Sequence, residues 1–403
     1  MLDKNIDQIN IEDIKSLVET SVVEKKTLEF KAALPGNSHI DKREFLADSS
    51  SFANTEGGYI VYGVADSLVG KEVDLKILGF ESKDIDSEIS RLENLLRTAI
   101  SPRMNYNFGI IANGEKFIVI IRIDPSLEAP HRVTLEGHDK FYKRNSNGKY
   151  PMEVSELRVS FLKTSSLIDN IKGFVNQRIF DVRAGDTPLP IINRDCFLSI
   201  HIIPMSSFTT EHKLNNENIL NLSNGKYNEF KPFSSSGYSH RINLEGVIVY
   251  ATDRSNENIV RSYSQLYRDG RIESVESSVL GRIKGNQSDK RDIPMGWLEK
   301  EVMEYTVNSI KLLSELSFKP PFYVYLTLFG VKGLYVLIPD GLWYLDKDGH
   351  QIVVNDLRLP PVIIDNIDFN IYEKFRPIFD IIWNASGFDR SFNFDKDGNY
   401  IGR

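Results

Sequence analysis

The sequence predicts an α+β protein built from an N-terminal mixed α/β domain followed by a β-rich α+β domain. Three observations point there. Over roughly the first 160 residues the apolar spacing switches repeatedly between the helical and the strand period. Beyond residue 190 strand-like apolar runs dominate, and a polar stretch near Lys163 to Asn170 is the natural hinge between the two parts. The domains expected are therefore 1–162 and 190–403, joined by a linker over 163–189.

Each element has its own signal. Ile11, Ile14, Leu17 and Val18 recur at helix spacing and open the first domain with a short amphipathic helix. Thr27 to Ala32 (TLEFKA) alternates as a strand, with Leu28 and Phe30 on one face and Glu29 and Lys31 on the other. Phe45, Leu46, Ser49, Phe52 and Ala53 mark a helix over 42–54 that stops at Glu56-Gly57-Gly58. Tyr59 to Val64 is an almost unbroken apolar strand suited to a sheet interior. Ile89, Leu92, Leu96 and Ile100 stripe a helix over 86–100, ended by Ser101-Pro102. Asn113-Gly114, set between two β-like runs, signals a hairpin. A strand over 141–144 and a helix over 155–162 close the domain. In the second part 197–203, 246–251, 262–265 and 322–329 read as strands, and Leu298 to Leu316 as a long helix. The Asn- and Ser-rich Thr209 to Ser236 reads as a surface loop.

Composition removes several classes of function. With 41% hydrophobic and 26% charged residues the chain is neither disordered nor fibrous. No apolar run approaches the roughly 20 residues that span a bilayer. The opening residues lack the continuous apolar core of a secretory signal. A single cysteine, Cys196, makes neither an intramolecular disulfide nor a cysteine zinc site. The expectation is a cytoplasmic protein with no membrane partner. The net charge of −7 divides as 21 Lys+Arg against 26 Asp+Glu over 1–160 and 28 against 30 over 161–403, so neither part is a basic module that coats duplexes.

A local basic patch remains. His131, Arg132, Lys140, Lys143, Arg144 and Lys149 are interleaved with Phe141, Tyr142 and Tyr150. Cations beside exposed aromatics offer RNA or a single strand both charge pairing and base stacking. Arg97 and Arg103, flanking Ser101-Pro102, extend the group. The alternative is that Tyr142 and Arg144 simply divide between core and solvent, as strand residues do.

Several segments taken together carry a resemblance. VEKKTLEFKAALP, the helix with REFLADSSSFANTEGG, YIVYGVAD, and later APHRV and FYKRNSN resemble the Schlafen AlbA-type nucleic-acid-binding domain over roughly 10–160. In animal Schlafen proteins this domain holds a metal-dependent RNA nuclease site of three carboxylates, which the resemblance places on Glu24, Glu29 and Asp66. NLEGVIVY, SQLYRDGRIE and FDIIWNASGFDRSFNFDKDGNYIG resemble a tail seen on some bacterial members.

The residues themselves admit that chemistry. Glu24 precedes a strand, Glu29 lies within it, and Asp66 falls just past the end of a central strand, so neighbouring strands would bring the carboxylates together. Oxygen ligands without nearby Cys or His suit Mg²⁺ or Mn²⁺. Such a metal would activate water and neutralise charge on a phosphoryl group, with Lys31 steadying the phosphate. A Glu-x-Lys strand also occurs in unrelated DNA nucleases, so RNA and DNA both stay open. Carboxylates at strand ends are, however, usually just solvated.

Other signals are weaker. Ala65 to Glu72 (ADSLVGKE) lacks the first Gly and the Ser/Thr of a phosphate loop, so no nucleotide cofactor is expected. Asp346-Lys347-Asp348-Gly349 and Asp395-Lys396-Asp397-Gly398 lack the bidentate Glu of a calcium loop and read as turns. No histidine pairs at metal spacing. His201 reads as a strand residue and Cys196 as core.

Two functions from different classes follow. One is a metal-dependent endoribonuclease of Schlafen type acting on structured RNA such as tRNA, in the stress or antiviral defence setting that the resemblance implies. The other is a non-catalytic nucleic-acid-binding regulator. Animal Schlafen cores resemble two facing lobes, whereas the LEFK and FANTEGG segments occur once here. A homodimer is therefore expected, with the β-rich tail as its interface, because its apolar strand Phe322 to Phe329 and tyrosine-rich surroundings provide surface to bury. The alternative is a monomer whose own tail closes the groove.

Overall fold

The computed structural model describes residues 6–20, 26–69, 72–135, 137–209, 213–223, 230–235, 237–283, 291–337 and 350–402. The chain divides into two compact units, 1–166 and 167–403. Both are α+β.

The first unit opens with α1 (Ile11–Thr20), β1 (Leu28–Lys31), α2 (His39–Ala53) and β2 (Gly58–Tyr62). β1 and β2 pair in parallel, which requires a crossover, and α2 supplies it. Then come β3 (Val64–Val69), β4 (Glu72–Ile77), α3 (Ile85–Ala99), β5 (Ile100–Ser101), β6 (Tyr106–Asn113) and β7 (Lys116–Ile123). β8 (Arg132–Leu135), β9 (His138–Asn145) and β10 (Gly148–Pro151) follow. One sheet has the order β1-β2-β7-β6 and a second the order β10-β9-β8-β5. The Asn113-Gly114 signal forms the β6–β7 hairpin, with Asn113 opposite Lys116 and Gly114 at a φ of 64° that favours glycine.

Strand alternation decides what each face meets. Leu28 and Phe30 join Ile14 and Leu17 of α1, Val61, and Ile118 and Ile120 in one core. The other face of this sheet presents Ile60, Tyr62, Val119 and Ile121 to Phe45 and Phe52 of α2 and Leu92 and Leu96 of α3, and Val133 and Tyr142 of the second sheet complete that core. α2 thus lies between two sheets. Every residue from Phe45 to Ala53 is buried, and Glu29 and Lys31, alternating with Leu28 and Phe30, turn toward this helix.

The apolar run from 59 to 64 is not one strand. Gly63, at φ 97°, turns the chain; its N–H donates to the Lys31 carbonyl, and its own carbonyl accepts from Leu78 and Gly79. β3 then pairs with β4 as a separate ribbon in which Asp66 stands opposite Leu75. Asp66 is thus inside a hairpin strand rather than past the end of a central one. Its side chain, and the whole of Glu24, lie outside the described residues. Ala65 to Val69 and Glu72 belong to this ribbon.

The helix expected over 155–162 is α4 (Val154–Ala184), which runs on through most of the 163–189 stretch read as a linker. Apart from half-buried Thr164, the polar residues at 163–170 fill its exposed positions, while Leu167, Ile171, Val175, Ile179 and Val182 keep a buried stripe at helical spacing.

The second unit is built on an antiparallel eight-stranded sheet. Its strands and helices in order are β11 (Phe197–Pro204), α5 (Asn216–Ser223), β12 (Ser239–Ile242), β13 (Gly246–Thr252), β14 (Val260–Tyr267) and β15 (Ile272–Glu276). β16 (Arg282–Ile283), β17 (Arg291–Ile293), α6 (Met295–Glu315), β18 (Phe322–Phe329), β19 (Tyr335–Val336), β20 (Leu357–Arg358), β21 (Val362–Ile364) and α7 (Ile371–Asn384) complete it. The large sheet runs β12-β13-β14-β15-β11-β18-β20, with β21 also on β18, and β16-β17-β19 form a small sheet.

Leu198, Ile200 and Ile202 of β11 pack into the core with α6 and α7. His201, on the other face, meets Phe174 edge-on and bonds Glu273, which Arg178 of α4 and the Tyr263 hydroxyl also bond at 2.7 and 2.8 Å. Burial pushes the Glu273 carboxyl up, but His201 and Arg178 outweigh it and bring the group down to about 2. Across the core, buried Glu299 accepts from Trp383 Nε1 and Ser391 Oγ, both at 2.8 Å. Here burial wins over the hydrogen bonds and lifts the carboxyl to about 7.

Two expectations change. The surface loop over 209–236 contains α5 and buries Leu214, Ile219, Leu222, Phe230 and Phe233 in the main core. β18, expected to face a second copy, is an interior strand. β11 pairs with one edge and β20 and β21 with the other, and all but Tyr325 of its residues are buried. The Asp395 segment is a turn, closed by Asp395 accepting from the Asp397 and Asn399 backbones, while the Asp346 segment lies outside the described residues. Cys196 is buried core. No helix among the described residues is long and apolar enough to cross a membrane.

Candidate functional site

Four elements of the first unit deliver one charged cluster. β1 contributes Glu29 and Lys31, α2 contributes Glu44 and Asp48 four residues apart on one helical face, β9 contributes Arg144 and β10 Lys149. Glu29 is 9% exposed. Its Oε2 accepts from Arg144 Nη2 at 2.6 Å, and Lys31 Nζ stands 2.8 Å from its Oε1. Lys31 also lies 3.7 Å from Asp48 Oδ2. Lys149 donates to Asp48 Oδ1 at 2.7 Å and to Glu44 Oε2 at 2.6 Å. Arg144 is 2% exposed and rests 3.7 Å above the Phe52 ring, which suits a guanidinium whose Nε and Nη1 find no hydrogen-bond partner. Three carboxylates face three cations.

Position in the cluster sets each proton affinity. Burial pushes Glu29 up, but the bonds from Lys31 and Arg144 more than offset it and hold the carboxyl below its usual range. For Asp48 burial prevails over Lys149 and Lys31, and the group is raised. Lys149 is also raised, because Asp48 and Glu44 outweigh its own desolvation. The two shifts pull differently on one pair, and the geometry favours the ionised form, since Asp48 Oδ1 is met directly by the ammonium. Tyr62, fully buried nearby, is pushed well above its normal value by burial and by the Asp48 and Glu29 charges.

A divalent cation needs carboxylate oxygens with lone pairs to give. Both oxygens of Glu29 and both of Asp48 already face cations. Among the described residues no group of three or more His, Cys, Asp or Glu side chains is placed to hold a metal. Glu29 is held there by cations rather than by further carboxylates, and Glu24 and the Asp66 side chain lie outside the described residues. Asp48 and Glu44 are the partners that sequence reading missed; their signal was two acids at helical spacing within an otherwise buried helix.

The family model described as Schlafen, AlbA_2 matches residues 24–153, less than half of the chain. This segment is a Schlafen AlbA_2 domain. No curated protein matches the chain. Among solved structures, it is similar to the N-terminal domain of a putative ATP-dependent DNA helicase RecG-related protein from Nitrosomonas europaea. That likeness is 16% identical with a TM-score of 0.25, covering 30% of this chain and 75% of the other. The DIP2311 protein of Corynebacterium diphtheriae is likewise 16% identical at a TM-score of 0.25, over 36% of this chain and 27% of its own. Likenesses this loose say nothing further about the fold or function of this chain.

Within the Schlafen AlbA_2 domain the expected basic patch splits between two faces of the second sheet. Directly paired residues share a face, so Arg132 opposite Phe141 and Lys143 opposite Tyr150 form one face. Tyr142 and Arg144, two apart, lie together on the other face with Val133, against α2. They do not divide between core and solvent; both are buried. Lys149, opposite Arg144, turns the same way and is taken up by Asp48 and Glu44. Arg132 is exposed, with Asp139 at 3.7 Å. Lys143 is half-buried, with Glu156 at 3.5 Å. Lys140, Arg97 and Arg103 are exposed, Arg97 bonding Asn94 at 2.7 Å.

The FANTEGG turn is a fastening. Asn54 Nδ2 donates to the His131 and Tyr142 carbonyls at 3.0 and 2.8 Å, and His131 N–H donates to Asn54 Oδ1 at 2.6 Å. His131 itself is fully buried. Burial drives its imidazole down to about 4, against the Pro102 carbonyl 2.8 Å from Nδ1, so it is neutral at pH 7 and is no phosphate contact.

Proposed function

We propose that the Schlafen AlbA_2 domain binds single-stranded or looped nucleic acid, RNA in the first instance, on the face carrying Arg132, Phe141, Lys143 and Tyr150. The observation that carries this reading is the strand register, which alternates cations and aromatic rings along one half-open face. Ammonium and guanidinium groups pair with phosphates, and rings stack unpaired bases without regard to sequence. Fluorescence anisotropy with labelled RNA tests it. Charge reversal at Arg132 and Lys143 together should weaken binding at least tenfold and lower the salt slope by about 0.7 for each phosphate no longer paired. An unchanged slope would move the surface elsewhere.

Metal-dependent cleavage of structured RNA is the finer form of the same reading. It would join Glu24 and Asp66 to Glu29, and its support is the family match together with Glu29 and Lys31 on one strand face. Against it stands the charge balance around Glu29. Incubating labelled RNA with Mn²⁺ or Mg²⁺, with and without chelator, separates the two forms. Chelator-sensitive products that vanish in Glu29→Gln establish a nuclease; binding without products leaves a non-catalytic regulator.

A further inference from the structure

A cleft of about 530 Å³ opens in the first unit, outside the Glu29 cluster. One face of α4 forms a wall, since Ser155, Val159, Ser160 and Lys163 recur at helical spacing along it. Lys143 enters from β9, Met152 from just past β10, Glu56 from the turn after α2, and Lys26 from the approach to β1. Its volume falls within the range of roughly 300–1,000 Å³ that small ligands occupy.

The lining has two kinds of surface. Lys26, Lys143 and Lys163 bring three ammonium groups, and Ser155 and Ser160 bring hydroxyls with no partner among the described residues. Leu127, Met152 and Val159 are apolar, and Val159 is 67% exposed, a large aliphatic surface left open to water. Two of the lysines face glutamates. Lys26 pairs with Glu56, and Lys143 stands 3.5 Å from Glu156. Three lysines against two glutamates leave one net positive charge, the complement of one phosphodiester.

We propose that this cleft seats a single nucleotide of a nucleic-acid strand, its phosphodiester among Lys26, Lys143 and Lys163 and its base on Leu127, Met152 and Val159. The inference rests on the nucleic-acid reading above and gives the strand a fixed point beside Lys143. Glu56 acts as a competitor in this arrangement: the phosphate must displace it from Lys26, so a strand enters only where base contact adds to charge. A free nucleotide shares the phosphate-and-base chemistry, but its phosphomonoester carries close to two charges and matches the cleft less well.

The test is anisotropy with a labelled oligouridylate at about 50 mM salt and upward, using Lys163→Met, Glu56→Gln and, as a reference on the neighbouring face, Arg132→Glu. Both cleft positions are exposed, and circular dichroism checks that the variants fold. Lys163→Met should lose three- to tenfold in affinity and about 0.7 in salt slope. Glu56→Gln should gain two- to fivefold by freeing Lys26. If both leave affinity unchanged while Arg132→Glu lowers it, the cleft is not the seat and the nucleic-acid reading stands. If the wild type binds neither RNA nor single-stranded DNA at low salt, that reading falls. Uridine monophosphate displacing the oligomer at equal concentration would overturn the preference for a strand.

Discussion

Replacing Arg144 by Met tests whether this residue belongs to the interior. The substitution keeps much of the aliphatic stem over Phe52 but removes the guanidinium that bonds Glu29 Oε2 at 2.6 Å. Taking one partner from a buried ion pair costs about 3–5 kcal/mol, because a desolvated charge is left behind. Lys31 still meets Glu29 Oε1, so the expected loss is near the lower end, about 3 kcal/mol, or about 6–12 °C in Tm for a unit of this size. Denaturant titration read by hydrogen exchange in β1 and β9 peptides isolates the first unit. The pH dependence has a definite sign. Glu29 sits below its unfolded value in the wild type, so its contribution is full above about pH 4.3 and is lost as pH falls through the folded value. In Arg144→Met burial meets less opposition and Glu29 protonates sooner as pH falls, so the gap to wild type narrows toward acid. Adding Glu29→Gln should recover much of the loss, since no lone charge is then buried. A penalty below about 1 kcal/mol, or one that Glu29→Gln does not relieve, would refute the argument and return Arg144 to the surface.

Three further outcomes are expected. Asn54→Ala leaves the His131 N–H and the His131 and Tyr142 carbonyls without this partner, so chemical denaturation should show a loss of about 2–4 kcal/mol. Glu299→Gln should stabilise the second unit at pH 8 by up to about 3 kcal/mol and change little at pH 4. The wild-type carboxyl, at about 7, is raised by burial and grows more unfavourable as pH climbs from its unfolded value; equal effects at both pH values would contradict this. Glu273 has a folded value of about 2, so wild-type stability should decline between about pH 4 and 2, and Glu273→Gln, lower in stability at pH 7, should lack that decline when both are followed by tryptophan fluorescence.

Much of the first unit could be read from the chain because its signals are local. The β1 alternation correctly put Glu29 and Lys31 on one face, and Asn113-Gly114 fixed a hairpin. The second-sheet faces were equally decidable in principle, since Tyr142 and Arg144 are two residues apart and had to travel together. What could not be read was the partner of each charge. Arg144 looks like any strand cation until β9 is laid against α2, and Asp48 becomes meaningful only once Lys149 arrives from β10. Local composition misled in two places. Polar residues at 163–170 hid a helix whose apolar stripe resumes at Leu167, and an Asn-rich stretch hid α5 with its buried Ile219 and Leu222. α7 shows Phe375, Ile378, Phe379, Ile382 and Trp383 at helical spacing, but Pro377 sits inside that pattern like a stop signal.

The parallel pairing of β1 with β2 has a consequence for the order in which the domain assembles. The β6–β7 hairpin closes over a two-residue turn, whereas β1 reaches β2 only after α2 has formed and folded back. Glu29 and Arg144 are 115 residues apart, and Asp48 and Lys149 are 101 apart. Closing loops of that length is entropically unfavourable until the intervening contacts exist, so these charges meet late. Glu29 therefore gains the Arg144 share of its lowered proton affinity only when both sheets have closed on α2, whereas the share from Lys31 is local to β1. Its titration thus reports completed folding: a fragment ending before β8 can form the hairpin but lacks the Arg144 contribution that lowers Glu29 further.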